Sequence, residues 1–307
     1  MPPGQNKRIG LFIALAGLFL FSACGSTIGS AGTPSAQGNG TITVVAAENF
    51  YGNIVSQIGG THVNVTSILA DPNVDPHTYE TNVNQVKAVA RAQLIIANGG
   101  GYDDWMDKLL DSTPSSDRKV IKGFDIAKTK LPDNEHVWYS PANAKDIASA
   151  VAENLKTIDA THATDYDKNL KTFQNEVGKI EQKMAEIKAK YAHAPVGLTE
   201  TIFLYQTGPM NLNVLTPIEF QKALAEGNDP PANTVVTAEN QVSKRQIRVF
   251  IYNKQTQSAI TTKLQSDVSA KNIPVIAVTE TMPPDKTYQS WMLSQLEDVE
   301  QGLASNK

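Results

Sequence analysis

Apolar positions in the first part of the folded chain come as short aliphatic or β-branched runs separated by stretches with helical spacing. Ile42-Thr43-Val44-Val45 opens as a strand, Ile54 to Ile58 carries helix character, and Val63-Asn64-Val65 with Ile68-Leu69 returns to strand character. Asn84 to Arg91 reads as a helix feeding the apolar strand Leu94-Ile95-Ile96-Ala97, which Gly99-Gly100-Gly101 terminates. Such alternation predicts an α/β fold with a mainly parallel sheet flanked by helices, and these folds gather ligands at the carboxyl ends of their strands.

The middle of the chain breaks this rhythm. Tyr166, Leu170, Phe173, Val177, Ile180, Met184, Ile187 and Tyr191 recur at steps of four and three, which marks one long amphipathic helix. Charges such as Lys168, Glu176, Glu181, Lys183 and Glu186 cover its other face, so it suits either a spine laid across two lobes or a coiled-coil seam. Alternation then resumes: Val196-Gly197-Leu198, a strand expected at Val235-Val236, Ile247 to Tyr252, Ile273 to Val278, and a closing helix from Ser290 to Leu303. The division expected is an N-terminal α/β lobe at 41–163, a backbone helix at 164–192 and a C-terminal α/β lobe at 193–307. No internal repeat is clear in the sequence.

The amino end changes the picture of where the chain works. Lys7 and Arg8 precede an apolar run from Ile9 to Phe21, and Phe21-Ser22-Ala23-Cys24 follows, so residues 1–23 read as a secretory leader. Cys24 is the only cysteine, which excludes an intramolecular disulfide and any cysteine-based zinc site. Its setting resembles a lipobox, with Phe21 in place of the usual leucine, so Cys24 is the expected lipidation site. Residues 24–40, rich in Gly, Ser, Thr and Ala, read as a flexible tether that stands the domain off a membrane. Loss of Lys7 and Arg8 with the leader takes the formal net charge from −4 to −6, which disfavours nucleic acid as a partner.

Candidate chemistry sits at strand ends. In Asp75-Pro76-His77-Thr78-Tyr79-Glu80, Pro76 restrains the backbone entering His77, and in Glu135-His136-Val137-Trp138-Tyr139-Ser140-Pro141 an aromatic pair and a proline stiffen the loop around His136 before a helix beginning near Asn143. The chain has five histidines; His62, His162 and His193 sit in a turn and at the flanks of the long helix, where solvation, capping or surface hydrogen bonding is expected. Glu200 directly follows the run Val196 to Thr199 and Glu280 directly follows Ile273 to Thr279. Each alone has an ordinary explanation at a helix start. Together, His77, His136, Glu200 and Glu280 make a mixed nitrogen and oxygen cage suited to a divalent first-row ion such as Mn²⁺, Fe²⁺ or Zn²⁺.

These stretches resemble the metal-receptor lipoproteins of bacterial ABC importers, the manganese/zinc class of solute-binding proteins with a rigid backbone helix, over nearly all of residues 41 to 303. The resemblance rests on Gln57-Ile58-Gly59-Gly60, the His77 loop, Ala97-Asn98-Gly99 followed by Trp105, His136-Val137-Trp138, Glu200 with Phe203 and Tyr205, and Glu280 after Ile273-Pro274-Val275. It implies a monomeric, extracytoplasmic, lipid-anchored receptor, not an enzyme, that captures the ion between two lobes and hands it to a membrane permease served by a separate ATPase. Zinc members commonly place histidine where Glu200 stands, and the fourth ligand is usually aspartate where Glu280 is one methylene longer. Two carboxylates tilt the expectation toward manganese or iron. A secreted metal-dependent enzyme and a metal-stabilised surface adhesin are the other classes compatible with these residues.

Overall fold

The computed structural model describes residues 40–305 apart from 73, 75, 77 and 78. The leader, Cys24, most of the tether and His77 therefore lie outside the described residues. Strands β1 (Ile42–Glu48), β2 (Val63–Leu69), β3 (Leu94–Ala97) and β4 (Lys119–Lys122) form a parallel sheet in the order β2-β1-β3-β4. Strands β5 (Pro195–Leu198), β6 (Asn213–Val214), β7 (Val249–Asn253) and β8 (Val275–Val278) form a second parallel sheet, β6-β5-β7-β8. The two orders are the same when each sheet is counted from its own first strand. The architecture thus repeats although the sequence shows no legible repeat.

Helices fill the crossovers that parallel pairing requires. In the first half these are α1 (Asn49–Gly59), α2 (Val83–Arg91), α3 (Asp104–Ser112), α4 (Gly123–Ile126) and α5 (Pro141–Ile158). Helix α2 starts with a complete capping box between Asn82 and Gln85. Helix α5 starts at Pro141 rather than near Asn143, because Ser140 caps it by accepting from the Asn143 amide and Pro141 suits the first helical position. The long helix α6 (Ala163–Tyr191) has 29 residues, roughly 43 Å at the usual rise. The second half carries α7 (Leu204–Thr207), α8 (Ile218–Ala225), α9 (Ala232–Ser243), α10 (Ala259–Ala270) and the closing α11 (Tyr288–Ser305).

One expectation fails: Val235-Val236 is not a strand but lies inside α9. Pro231 sets the helix start, its carbonyl accepts from the Thr234 and Val235 amides, and Ala238 and Val242 bury one face four residues apart. A helical stripe overrode the β preference of two adjacent valines.

Helix α6 turns Phe173, Val177, Ile180, Met184 and Ile187 into a core that also holds Ile54 and Ile58 of α1, Val151 of α5, Val249 and Ile251 of β7, and Leu296 and Val299 of α11. One hydrophobic core therefore runs from the first sheet, past the long helix, to the second. At its centre the Phe50 ring stacks on Trp138 at 4.6 Å between centroids. Polar ties reinforce the same joints: Lys183 and Lys190 of α6 both reach Glu300 of α11, at 3.1 and 2.7 Å. Among the described residues, no helix is long and apolar enough to cross a membrane.

Candidate metal-ion site

The strands of each sheet end in loops that carry the polar buried residues. His136, Glu200 and Glu280 are all buried, at 0, 2 and 0 % exposure, which charged or chargeable side chains tolerate only when partnered. The loop of His136 is clasped from both sides. Asn98, at the end of β3, donates to the Glu135 carbonyl at 3.0 Å, and Asn134 donates to the Thr201 carbonyl at 2.8 Å. Tyr205 donates to the Asn134 carbonyl at 2.9 Å while accepting from the Leu131 amide. This explains the spacing of Glu200 and Tyr205: the tyrosine on α7 fastens the His136 loop to the Glu200 loop.

The imidazole of His136 is oriented by Asn134. Because the Asn134 amide nitrogen is committed to Thr201, its Oδ1 is the atom 3.0 Å from His136 Nδ1, and an oxygen there can only accept. In the neutral ring Nδ1 therefore carries the proton and Nε2 the lone pair, the tautomer used by a metal-ligating histidine held by an outer partner. Glu135 Oε1 lies 3.8 Å from Nε2.

The two acids meet through one amide. Asn253, the last residue of β7, donates from Nδ2 to Glu200 Oε2 at 2.8 Å and to Glu280 Oε1. Tyr102 donates to Glu280 Oε2 at 3.0 Å, and its ring stands 5.9 Å from His136 in an edge-on arrangement. Burial, followed by the charge of Glu280, holds the Tyr102 phenol well above its ordinary range, so it remains a donor. Gln255 accepts from the Glu280 and Thr281 amides at 2.6 and 3.0 Å and donates to the Val74 carbonyl at 2.8 Å. It ties the Glu280 turn to the segment leading toward His77. Asn49 adds a further cross-link, exchanging hydrogen bonds with the backbone of Met282 at 2.6 and 2.9 Å.

Three of the four residues singled out by sequence thus fall in one buried polar network, while the placement of His77 lies outside the described residues. Among the described residues, no three His, Cys, Asp or Glu side chains are gathered tightly enough to form a finished metal cage. The other histidines lie elsewhere: His62 and His162 stack on each other with centroids 3.8 Å apart and bond to Asp165 and Asp159, and His193 contacts Asn211.

Sequence reasoning did not single out Tyr102, Asn253, Gln255 or a second acid pair. Glu48, the last residue of β1, is completely buried and faces Asp103, which accepts from the Asn98 and Gly99 amides at 2.7 and 2.6 Å. Burial first, and the neighbouring Asp103 charge second, hold the Glu48 carboxyl well above the usual range, and burial raises Asp103 as well. Gly99, Gly100 and Gly101, all at positive φ of 71, 67 and 91°, form the turn that brings Tyr102 and Asp103 back under the strand ends. The position of Glu48 at the end of an apolar strand was the available signal.

Residues 44–302 match the family described as zinc-uptake complex component A, periplasmic (ZnuA). The metal ABC transporter substrate-binding lipoprotein ScbA of Streptococcus cristatus is 24 % identical over 318 aligned positions, covering 96 % of this chain and 97 % of that protein. The manganese ABC transporter substrate-binding lipoprotein PsaA of Streptococcus mitis is 27 % identical, and the iron ABC transporter substrate-binding lipoprotein MtsA of Streptococcus pyogenes serotype M1 is 29 % identical. These two matches cover 62 and 61 % of this chain and 63 and 62 % of the respective relatives. Among solved structures, the periplasmic zinc binding protein TroA of Treponema pallidum superposes with a TM-score of 0.74 at 16 % identity, covering 86 % of this chain and 99 % of that one. With the match spanning both sheets and the long helix, the chain belongs to the ZnuA family of ABC-transporter substrate-binding proteins.

Proposed function

We propose that the chain is the extracytoplasmic receptor of an ABC importer, which captures one divalent transition-metal ion, manganese, zinc or iron, and delivers it to a membrane permease. His77 and His136 supply imidazole nitrogens and Glu200 and Glu280 supply carboxylate oxygens. The observation that carries this reading is the buried network in which Tyr102 and Asn253 join Glu280 to the His136 and Glu200 loops. Names of relatives that bind manganese or iron support the same class of cargo. The role is binding rather than catalysis, a reading supported by relatives named as substrate-binding lipoproteins of metal ABC transporters. Lipid attachment at Cys24, supported by relatives named as lipoproteins, would keep the receptor beside its permease.

The test is metal binding by the chain lacking residues 1–23, measured for Zn²⁺ and Mn²⁺ separately and repeated with His77→Ala and His136→Ala. One ion per chain is expected, with affinity lost in both variants. Retention of full affinity in both would refute the assigned shell. Release of a Cys24→Ser protein into the medium, with the parent retained on cells, tests the anchor.

A further inference from the structure

Helix α1 meets the second half of the chain with a stripe of carboxamides. Asn49, Asn53 and Gln57 are spaced so that they lie one above another on consecutive turns. Each contacts the segment from Met282 to Gln289, which joins the Glu280 turn to α11. Asn49 exchanges two hydrogen bonds with Met282, its Nδ2 donating to the carbonyl at 2.6 Å and its Oδ1 accepting from the amide at 2.9 Å. Asn53 Oδ1 accepts from the Tyr288 amide at 2.9 Å. Gln57 and Gln289 form a reciprocal pair, each side-chain amide donating to the other's oxygen at 3.0 Å, and Gln57 also donates to Asn53 Oδ1 at 2.6 Å.

The backbone partners fix which atom of Asn49 and of Asn53 is the oxygen, since the Met282 and Tyr288 amides can only donate. Asn49 thereby satisfies both backbone groups of Met282, at a place where Met282 is 8 % exposed and Thr281 fully buried. Its Nδ2 also reaches the Ala70 carbonyl, just past β2, at 3.4 Å, so Asn49 is itself held by the first sheet. Met282 lies two residues beyond Glu280. Gln255 holds the amides of that turn from the second sheet's own side, and Tyr102 holds a carboxylate oxygen. Asn49 holds the backbone of the same turn from the first half. The long helix joins the halves by apolar packing, which has no direction; the amide stripe is directional. A binding side chain works only when held within roughly 0.5 Å of its productive position.

We infer that Asn49 is a positioning residue for the metal-ion site: with Asn53 and Gln57 it fastens the Glu280 turn to the first half of the molecule, and the strength of that seam sets how long a bound ion stays. It acts through the backbone that carries Glu280 and not by ligation. This inference rests on the metal-receptor reading above, with Glu280 as a ligand.

The experiment loads the chain lacking residues 1–23 with Zn²⁺ and follows release to an excess of a chromogenic chelator by stopped flow, for the parent and for Asn49→Ala, Gln57→Ala and Lys190→Ala. Lys190→Ala is the comparison, because it cuts a tie between α6 and α11 that lies toward the opposite end of α11 from Tyr288. The release rate is expected to rise roughly tenfold in Asn49→Ala, the effect of losing about one net hydrogen bond. It should rise by less in Gln57→Ala and keep the parent's value in Lys190→Ala, with association rates unchanged throughout. Hydrogen exchange gives a second reading: the Met282 amide should lose protection in Asn49→Ala while amides inside α11 keep theirs. An unchanged release rate in Asn49→Ala, or an equal rise in Lys190→Ala, overturns the inference. If Asn49→Ala does not fold, Gln57→Ala decides, and a release rate equal to the parent's overturns it. Failure of the parent protein to bind Zn²⁺ would instead refute the functional reading on which the inference rests.

Discussion

The two sheets share one strand order, yet they finish their central strands with opposite chemistry. In the first, Glu48 ends β1 and faces Asp103 beyond β3, and burial raises both carboxyls. In the second, Glu200 follows β5 and meets Asn253 at the end of β7, and an amide joins it to Glu280. The first sheet thus sets one buried acid against another, whereas the second sets two buried acids about a shared amide donor. Burial alone does not make a carboxylate a ligand; the groups set opposite it differ between the two sheets.

Substitution can break this contrast in order of size. Glu200→Gln and Glu280→Gln should each lower metal affinity by more than the ~10–100-fold typical of losing an outer partner, whereas Glu48→Gln should leave it unchanged. Calorimetric titration separates these outcomes, and equal losses at all three positions would erase the distinction. Tyr102→Phe removes the phenol that holds Glu280 Oε2 and should weaken binding about tenfold, read by the same titration.

The first pair should show itself in stability instead. Because the folded-state value of Glu48 is raised above 4.5, the folded protein retains a proton that the unfolded chain releases. Its stabilising contribution is fully present below about 4.5 and is lost as pH rises toward the raised value; burial raises Asp103 in the same sense. Glu48→Gln, neutral at all pH, should therefore melt a few degrees higher than the parent near pH 7, where ~1 kcal/mol corresponds to about 2–4 °C for a chain of this size. It should also lose much of the parent's decline as pH rises above about 4.5, measured by calorimetry. The smallest effect expected is on shape. Because α6 buries one face in a core common to both sheets, loading with metal should leave the radius of gyration in solution unchanged within error.

Periodicity made the frame legible: the four-and-three spacing from Tyr166 to Tyr191 became α6, and the aliphatic runs at Ile42, Leu94 and Val249 became central strands. Strand β6 was not legible, since two residues carry no period, and Val235-Val236 misled because local β preference yielded to a buried helical stripe. The candidate site was legible where a charged or imidazole side chain broke an apolar run, as at Glu200 and Glu280. Asn253 and Gln255 stayed hidden because amides at strand ends are ordinary in loops. Their meaning comes from cross-chain contacts such as Gln255 to Val74, 181 residues apart.

X-ray absorption of the metal-loaded chain lacking residues 1–23 tests the central claim most directly. The account predicts one ion with two imidazole nitrogens and carboxylate oxygens in its shell, with one imidazole lost in His136→Ala. A shell without imidazole, or one unchanged by that substitution, would contradict it.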